Sequence, residues 1–199
     1  MSARILLLDN RDSFTYNLMD ELQALGCIVE VFRNHHPAAA LLARALGATL
    51  VLSPGPGTPA SAGCLLELCA LAHGRVPVLG ICLGHQALVE VLGGTIGLAC
   101  EPRHGQASAV HHSGHAVFDG VPSPFRAGRY HSLAALTLPH SLTTIARADD
   151  GTVMAVADRA ATTLGLQFHP ESILTPEGRR VLGNALAWLA RAPGAAVAA

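Results

Sequence analysis

Lysine is missing altogether. All 13 basic residues of the 199-residue chain are Arg, against 14 acidic ones, for a net charge of −1 with His neutral. A balance so near zero leaves no basic stripe of the kind nucleic-acid binders need. The absence of Lys from the whole chain reads as a compositional bias, since no single site would require it. Charged residues are scarce at 14% and aromatics at 4%, while half the chain is hydrophobic. Such a sequence folds; it does not have the composition of a disordered chain. The five cysteines (Cys27, Cys64, Cys69, Cys82, Cys100) are an odd number, with no C-x-x-C and no regular spacing. That pattern speaks against a disulfide framework and against a structural zinc site. No metal site is expected. No apolar run of about 18 residues escapes interruption by charge, Gly or Pro. The opening run to Asp9 is also shorter than the core of a signal peptide. A cytoplasmic protein is expected, bound to neither membrane nor nucleic acid.

What is present has a clear rhythm. Arg4 to Asp9 (RILLLD) is a nearly continuous apolar run, as a strand buried on both faces requires. Asp12 and Ser13 offer helix caps, apolar residues follow at Phe14, Leu18, Leu22 and Leu25, and Gly26 is a natural stop. Strands are predicted at Cys27 to Phe32, Thr49 to Leu52 and Val76 to Ile81, with helices at Ala38 to Leu46, Leu65 to Ala72 and His85 to Leu92. This alternation predicts βαβ units and an open, mostly parallel α/β sheet flanked by helices. After Gly94 the texture changes. Short strand-like runs at Thr143 to Ala146, Val153 to Val156 and Thr163 to Phe168 predict a smaller antiparallel region, with Asp149-Asp150-Gly151 as a hairpin turn. A last helix is predicted from Glu177 to Ala190 behind Pro176. One domain over 1–191 is expected, with a disordered tail at 192–199.

Gly80-Ile81-Cys82-Leu83-Gly84 sits where a buried strand gives way to a helix. It is a nucleophile elbow with Cys in place of Ser: flanking glycines leave room for a sharp turn that exposes the reactive residue. The helix N-terminus favours thiolate over thiol, and the Leu83 N–H is placed to bind a developing oxyanion. A cysteine nucleophile needs a base, and the base needs an orienting group. Of 11 histidines, His169 stands apart in Gln167-Phe168-His169-Pro170-Glu171-Ser172, just past an apolar strand, with Glu171 two residues on. His85, three residues after Cys82, reads as a helix surface or packing residue. His111, His112 and His115 read as a solvent-facing loop. Ser53-Pro54-Gly55-Pro56-Gly57 forms a rigid turn whose glycines admit a ligand close to the backbone. Pro56 cannot donate, so a second oxyanion donor would be Gly55 or Gly57. The spacing and the Lys of a P-loop are both absent.

These segments, with Leu8-Asp9-Asn10, Asp12-Ser13-Phe14-Thr15-Tyr16-Asn17, Gly84-His85-Gln86 and Arg129-Tyr130-His131-Ser132-Leu133, resemble the class I (triad-type) glutamine amidotransferases. Within that class the chain resembles the small subunits of anthranilate synthase and aminodeoxychorismate synthase, over about residues 4 to 190. The resemblance implies Cys82 as nucleophile on the glutamine side-chain amide, His169 as base and then acid, and Glu171 as its orienter. It implies an oxyanion hole from Gly55 and Leu83, and substrate contacts from Gly55, Pro56, Gly57, Gln86, Ser132 and Leu133. The implied partner is a chorismate-binding synthase large subunit that receives ammonia, with anthranilate as the product. The alternatives are the folate branch, a small subunit serving both branches, a stand-alone γ-glutamyl cysteine hydrolase and a non-catalytic regulatory subunit. No cofactor is expected on this chain, whereas the family's large subunit uses Mg2+. Two positions depart from the family pattern: Arg11 where an aromatic is usual, and Gln106 where Lys follows His-Gly. Both bear on coupling to the partner more than on the triad.

Overall fold

The computed structural model describes residues 2–160 and 162–191. The tail expected at 192–199 lies outside the described residues. The strands are β1 (Arg4–Asp9), β2 (Ile28–Arg33), β3 (Thr49–Leu52), β4 (Val78–Ile81), β5 (Thr95–His112), β6 (Phe125–Thr137), β7 (Leu142–Ala148), β8 (Val153–Asp158) and β9 (Thr163–Leu166). The helices are α1 (Thr15–Ala24), α2 (Ala38–Ala45), α3 (Leu65–Ala72), α4 (Leu83–Val91) and α5 (Gly178–Leu189). Among the described residues these nine strands form one sheet in the order β2-β1-β3-β4-β9-β8-β7-β5-β6. Pairing is parallel from β2 to β9 and antiparallel from β9 to β6.

The parallel half follows from side-chain alternation. Successive residues of a strand face opposite sides of the sheet. In β1, Ile5 and Leu7 pack with Leu18 and Leu22 of α1 and with Val181 and Leu182 of α5. Leu6 and Leu8 pack on the other side with Leu41 of α2, Leu65 and Leu68 of α3 and Leu83 of α4. A strand buried on both faces has no polar alternation, which is why RILLLD is apolar throughout. Among the described residues no helix is long and apolar enough to cross a membrane.

The antiparallel half reaches further than its sequence suggests. β5 and β6 pair over most of their length, with register shifts between Leu98 and Arg103 and between His104 and Gln106. Such bulges break the apolar period that marks a strand, and β5 is largely exposed. His111 and His112 accordingly lie at the end of β5, not in a loop. His111 Nε2 is 2.7 Å from Asp149 Oδ1, and only His115 lies beyond the strand, capping a short 3-10 turn. The Asp149-Asp150-Gly151 turn does join β7 to β8.

Candidate active site

The carboxyl ends of β1, β3, β4 and β9 open on the same edge of the sheet, where ligands gather in open α/β folds. Cys82 follows β4 directly and caps α4. Its φ of 49° and ψ of −100° lie in the left-handed half of the map that L-residues avoid. The flanking glycines explain how the turn fits. A Cβ on Gly80 would lie 2.5 Å from the Gly84 carbonyl, and one on Gly84 would run into the Leu52 carbonyl oxygen. The turn is pinned on both sides, by Cys82 N–H to Leu166 O at 2.8 Å and by Gln86 N–H to Cys82 O at 3.0 Å.

His169 comes from the loop after β9, anchored to β6. Its N–H donates to Gly128 O at 3.1 Å, and the Thr175 hydroxyl donates to its carbonyl at 2.7 Å while accepting from Gly128 N–H at 2.9 Å. The rings of Phe14 and Tyr130 meet the imidazole edge-on, at centroid distances of 5.2 and 4.8 Å. Tyr130 in turn shares a hydrogen bond with Ser172 at 2.9 Å. His169 Nδ1–H donates to Glu171 Oε1 at 2.7 Å, and Nε2 has no hydrogen-bond partner among the described residues. Both side chains are buried. Burial opposes the imidazolium, but the neighbouring Cys82 sulfur and then Glu171 outweigh it and push the His169 pKa up to about 10. A cationic imidazole at this point places a proton donor beside the Cys82 sulfur.

The Ser53–Gly57 loop is held by Asn10, whose side-chain amide donates to Ser53 O at 3.0 Å and whose N–H donates to Ser53 Oγ at 2.9 Å. Gly55 sits against the head of α4, where a Cβ would be 2.6 Å from Leu83 Cδ2. Gly55 and Leu83 are therefore adjacent, and the first-turn N–H of Leu83 has no partner within its own helix. Pro56 and Gly57 lie further out, exposed, lining a cleft of about 480 Å³ with Asn10, Arg11, Asn34 and His35. Gln86 reaches β6, donating from Nε2 to Leu133 O at 2.9 Å. Ser132 shares a 2.9 Å hydrogen bond with His104. Arg11 is exposed at a φ of 61°, and Gln106 is exposed on β5 opposite Arg129.

Three residues of this site carry no local signal of their role. Gln167 is wholly buried, with Nε2 3.7 Å from Cys82 Sγ. Arg129 is also wholly buried, paired to Asp150 at 2.6 Å and bonded to Ser108, Thr152, Glu101 O and His131. Thr175 ties two loops together as described above. Each lay in or near a recognisable segment, but its partner is distant in sequence. His85 is a packing residue with no exposure: its ring lies where a Gly165 side chain would be, and neither ring nitrogen has a hydrogen-bond partner among the described residues. Burial, and then the nearby His131, push its pKa down to about 3.

A family model described as glutamine amidotransferase class-I matches residues 6–188. The chain belongs to the class-I glutamine amidotransferase family. It is 52% identical to a Pseudomonas aeruginosa protein named anthranilate synthase component 2, pyocyanine specific, over 93% of this chain and 94% of that one. It is 49% identical to a Streptomyces griseus protein named aminodeoxychorismate synthase, over 91% of this chain but 25% of that longer one. Among solved structures, a glutamine amidotransferase from Thermotoga maritima superposes with a TM-score of 0.73 at 17% identity, covering 95% of this chain and 98% of that one. That last likeness bears on the fold alone.

Proposed function

We propose that this amidotransferase releases ammonia from L-glutamine at Cys82 and delivers it to a chorismate-binding synthase subunit that makes anthranilate. The observation that carries the reading is the strained Cys82 turn beside an imidazole held by Glu171 at 2.7 Å. In this mechanism the Cys82 thiolate attacks the side-chain amide carbon of glutamine, forming a C–S bond, and the amide oxygen becomes an oxyanion facing the Gly55 and Leu83 N–H groups. The His169 imidazolium gives its proton to the departing nitrogen, the C–N bond breaks, and ammonia leaves a glutamyl thioester. Neutral His169 then takes a proton from water, whose oxygen attacks the thioester carbon. Glutamate leaves, and the proton on His169 restores the starting imidazolium and thiolate. Gln86, Ser132 and Leu133 bind the amino-acid end of the substrate, and Pro56 and Gly57 shape the entrance. The relatives' names support a synthase partner, and the proposed site of action is the cytoplasm.

A second branch is favoured by one observation, the 49% identity to a protein named aminodeoxychorismate synthase. The test measures glutamate release by the purified chain with and without a chorismate-converting subunit and chorismate, and identifies the aromatic product. Anthranilate with strong stimulation supports the first branch, and aminodeoxychorismate moves the assignment to the second. Full turnover without any partner would mean a free hydrolase. Cys82→Ser should lose at least about 1,000-fold of glutamine-dependent synthesis while ammonia-dependent synthesis by the partner persists.

A further inference from the structure

We propose that the Gln167 side-chain amide donates a hydrogen bond to the Cys82 sulfur and stabilises its thiolate, and that Gln86 is the positioning residue that aims it there. This deepens the glutaminase reading and rests on it only for the use made of the thiolate.

The polarity of the contact follows from its anchor. A backbone carbonyl can only accept, so Gln86 must present its NH2 group to Leu133 O, at 2.9 Å. The same nitrogen lies 3.3 Å from Gln167 Oε1, which accepts its second proton. With its oxygen committed, Gln167 turns its NH2 group to Cys82, at 3.7 Å between Nε2 and Sγ. Flipping either amide would set oxygen against oxygen or leave a buried donor unpaired. Gln167 is wholly buried and Gln86 nearly so, at 3% exposure, so water does not compete for these groups.

The anchor itself is fixed from behind. His131 Nδ1–H donates to the same Leu133 carbonyl at 2.9 Å, and His131 Nε2 accepts from Arg129 Nε–H at 3.3 Å. A buried cation donating to Nε2 permits one neutral tautomer alone, with its proton on Nδ1. Burial, then Arg129, push the His131 pKa down to about 4, so the ring stays neutral at working pH. An ordered path thus runs from Asp150 through Arg129, His131, Leu133, Gln86 and Gln167 to the nucleophile. It approaches the sulfur with a neutral donor, separately from His169, and a donor to a charged acceptor is worth more than one to a neutral acceptor. It uses both Gln86 N–H groups and leaves its Oε1 to accept from substrate.

The test follows carboxamidomethylation of Cys82 by iodoacetamide from pH 5 to 10 in the intact chain, read by mass spectrometry of the Cys82 peptide. His169, Glu171, His131 and His85, the titratable groups around the elbow, are kept in every variant. Gln167→Met, close in shape and without a donor, is expected to raise the pH midpoint of alkylation by about one unit, about tenfold less reaction below the midpoint. Gln167→Glu should raise it further, and Gln86→Met should follow Gln167→Met with a smaller shift. A packing role would change the rate equally at all pH values, and an unmoved midpoint in folded Gln167→Met and Gln167→Glu overturns the proposal. Wild-type protein provides a check that needs no substitution of Gln167: its side-chain NH2 resonances should titrate with the alkylation midpoint, and resonances that stay fixed also overturn it. Glutamine takes no part in either measurement, so their failure is separate from failure of the glutaminase reading.

Discussion

Asp150→Asn removes one charge and almost no volume at the far end of the path that braces the site. Arg129 has no exposed surface, and the Asp150 side chain is 7% exposed. The Asn oxygen can still accept from Thr152 N–H, which now lies 2.9 Å from Oδ1. What disappears is the counter-charge of a buried guanidinium whose other acceptors, Ser108, Thr152, His131 and the Glu101 carbonyl, are neutral. Breaking one side of a buried pair commonly costs about 3–5 kcal/mol. A second route gives a lower figure. Burial opposes the Asp150 carboxylate, yet hydrogen bonds from Thr152 and Arg129, with the Arg129 charge, bring its pKa down from 3.8 to about 2. That depression corresponds to about 2 kcal/mol. The lower figure suits a pair that one edge keeps in contact with water, so we expect a loss of about 2–3 kcal/mol in urea unfolding at pH 7. The pH dependence supplies the sign. A depressed carboxylate stabilises the fold above its unfolded pKa of 3.8 and loses that contribution as pH falls through about 2. The gap between wild type and variant should therefore hold from pH 7 to 4 and shrink to a few tenths of a kcal/mol near pH 2. A gap under about 0.5 kcal/mol at pH 7, or one that persists undiminished in acid, would refute the reasoning.

Three further substitutions test other parts of the site. His85→Leu removes two buried nitrogens with no partner, and should stabilise the fold at pH 7 by about 1 kcal/mol in urea unfolding. It should also flatten the acid limb: the unfolded chain protonates His85 below about 6.5 while the fold resists until about 3, so wild type loses stability across that window. Gly84→Ala forces a methyl group into the Leu52 carbonyl and should cost about 3 kcal/mol by the same assay, with Cys82 alkylation slowed as the turn shifts. Thr175→Val leaves Gly128 N–H and His169 O without their hydroxyl partner; kcat for glutamate release should fall at least about tenfold with a smaller change in KM.

The parts of this molecule that were legible in the sequence share one property: their constraint is local. β1, β3 and β4 are buried on both faces, so an apolar run of four to six residues is itself the record of their environment. Glu171 reaches His169 across two residues, and a Pro between them fixes the turn. β5 failed the same test because its bulges and its exposed face erase the period of two, and nothing within the strand announces that it pairs with β6. Gln167 meets Cys82 across 85 residues and Arg129 meets Asp150 across 21, so neither contact leaves a trace in spacing. Gln167 was in plain view within a recognised segment, but its amide has a meaning only once α4 and β6 fix its direction.

Cys82 shows why strain can be easier to read than bonding. Its left-handed φ carries a cost of about 1–3 kcal/mol, which the surroundings must offset. They do so with hydrogen bonds into β9 and α4, and with a helix whose residues from Leu83 to Val89 are all buried. A backbone bent that sharply between a sheet and a buried helix excludes Cβ atoms on both sides, and only glycine meets that condition at 80 and 84. A hydrogen bond such as Gln167 to Cys82 imposes no comparable demand on the residues next to it in the chain. Cys82 therefore marks its own neighbours, whereas Gln167 and Arg129 are marked only by the fold.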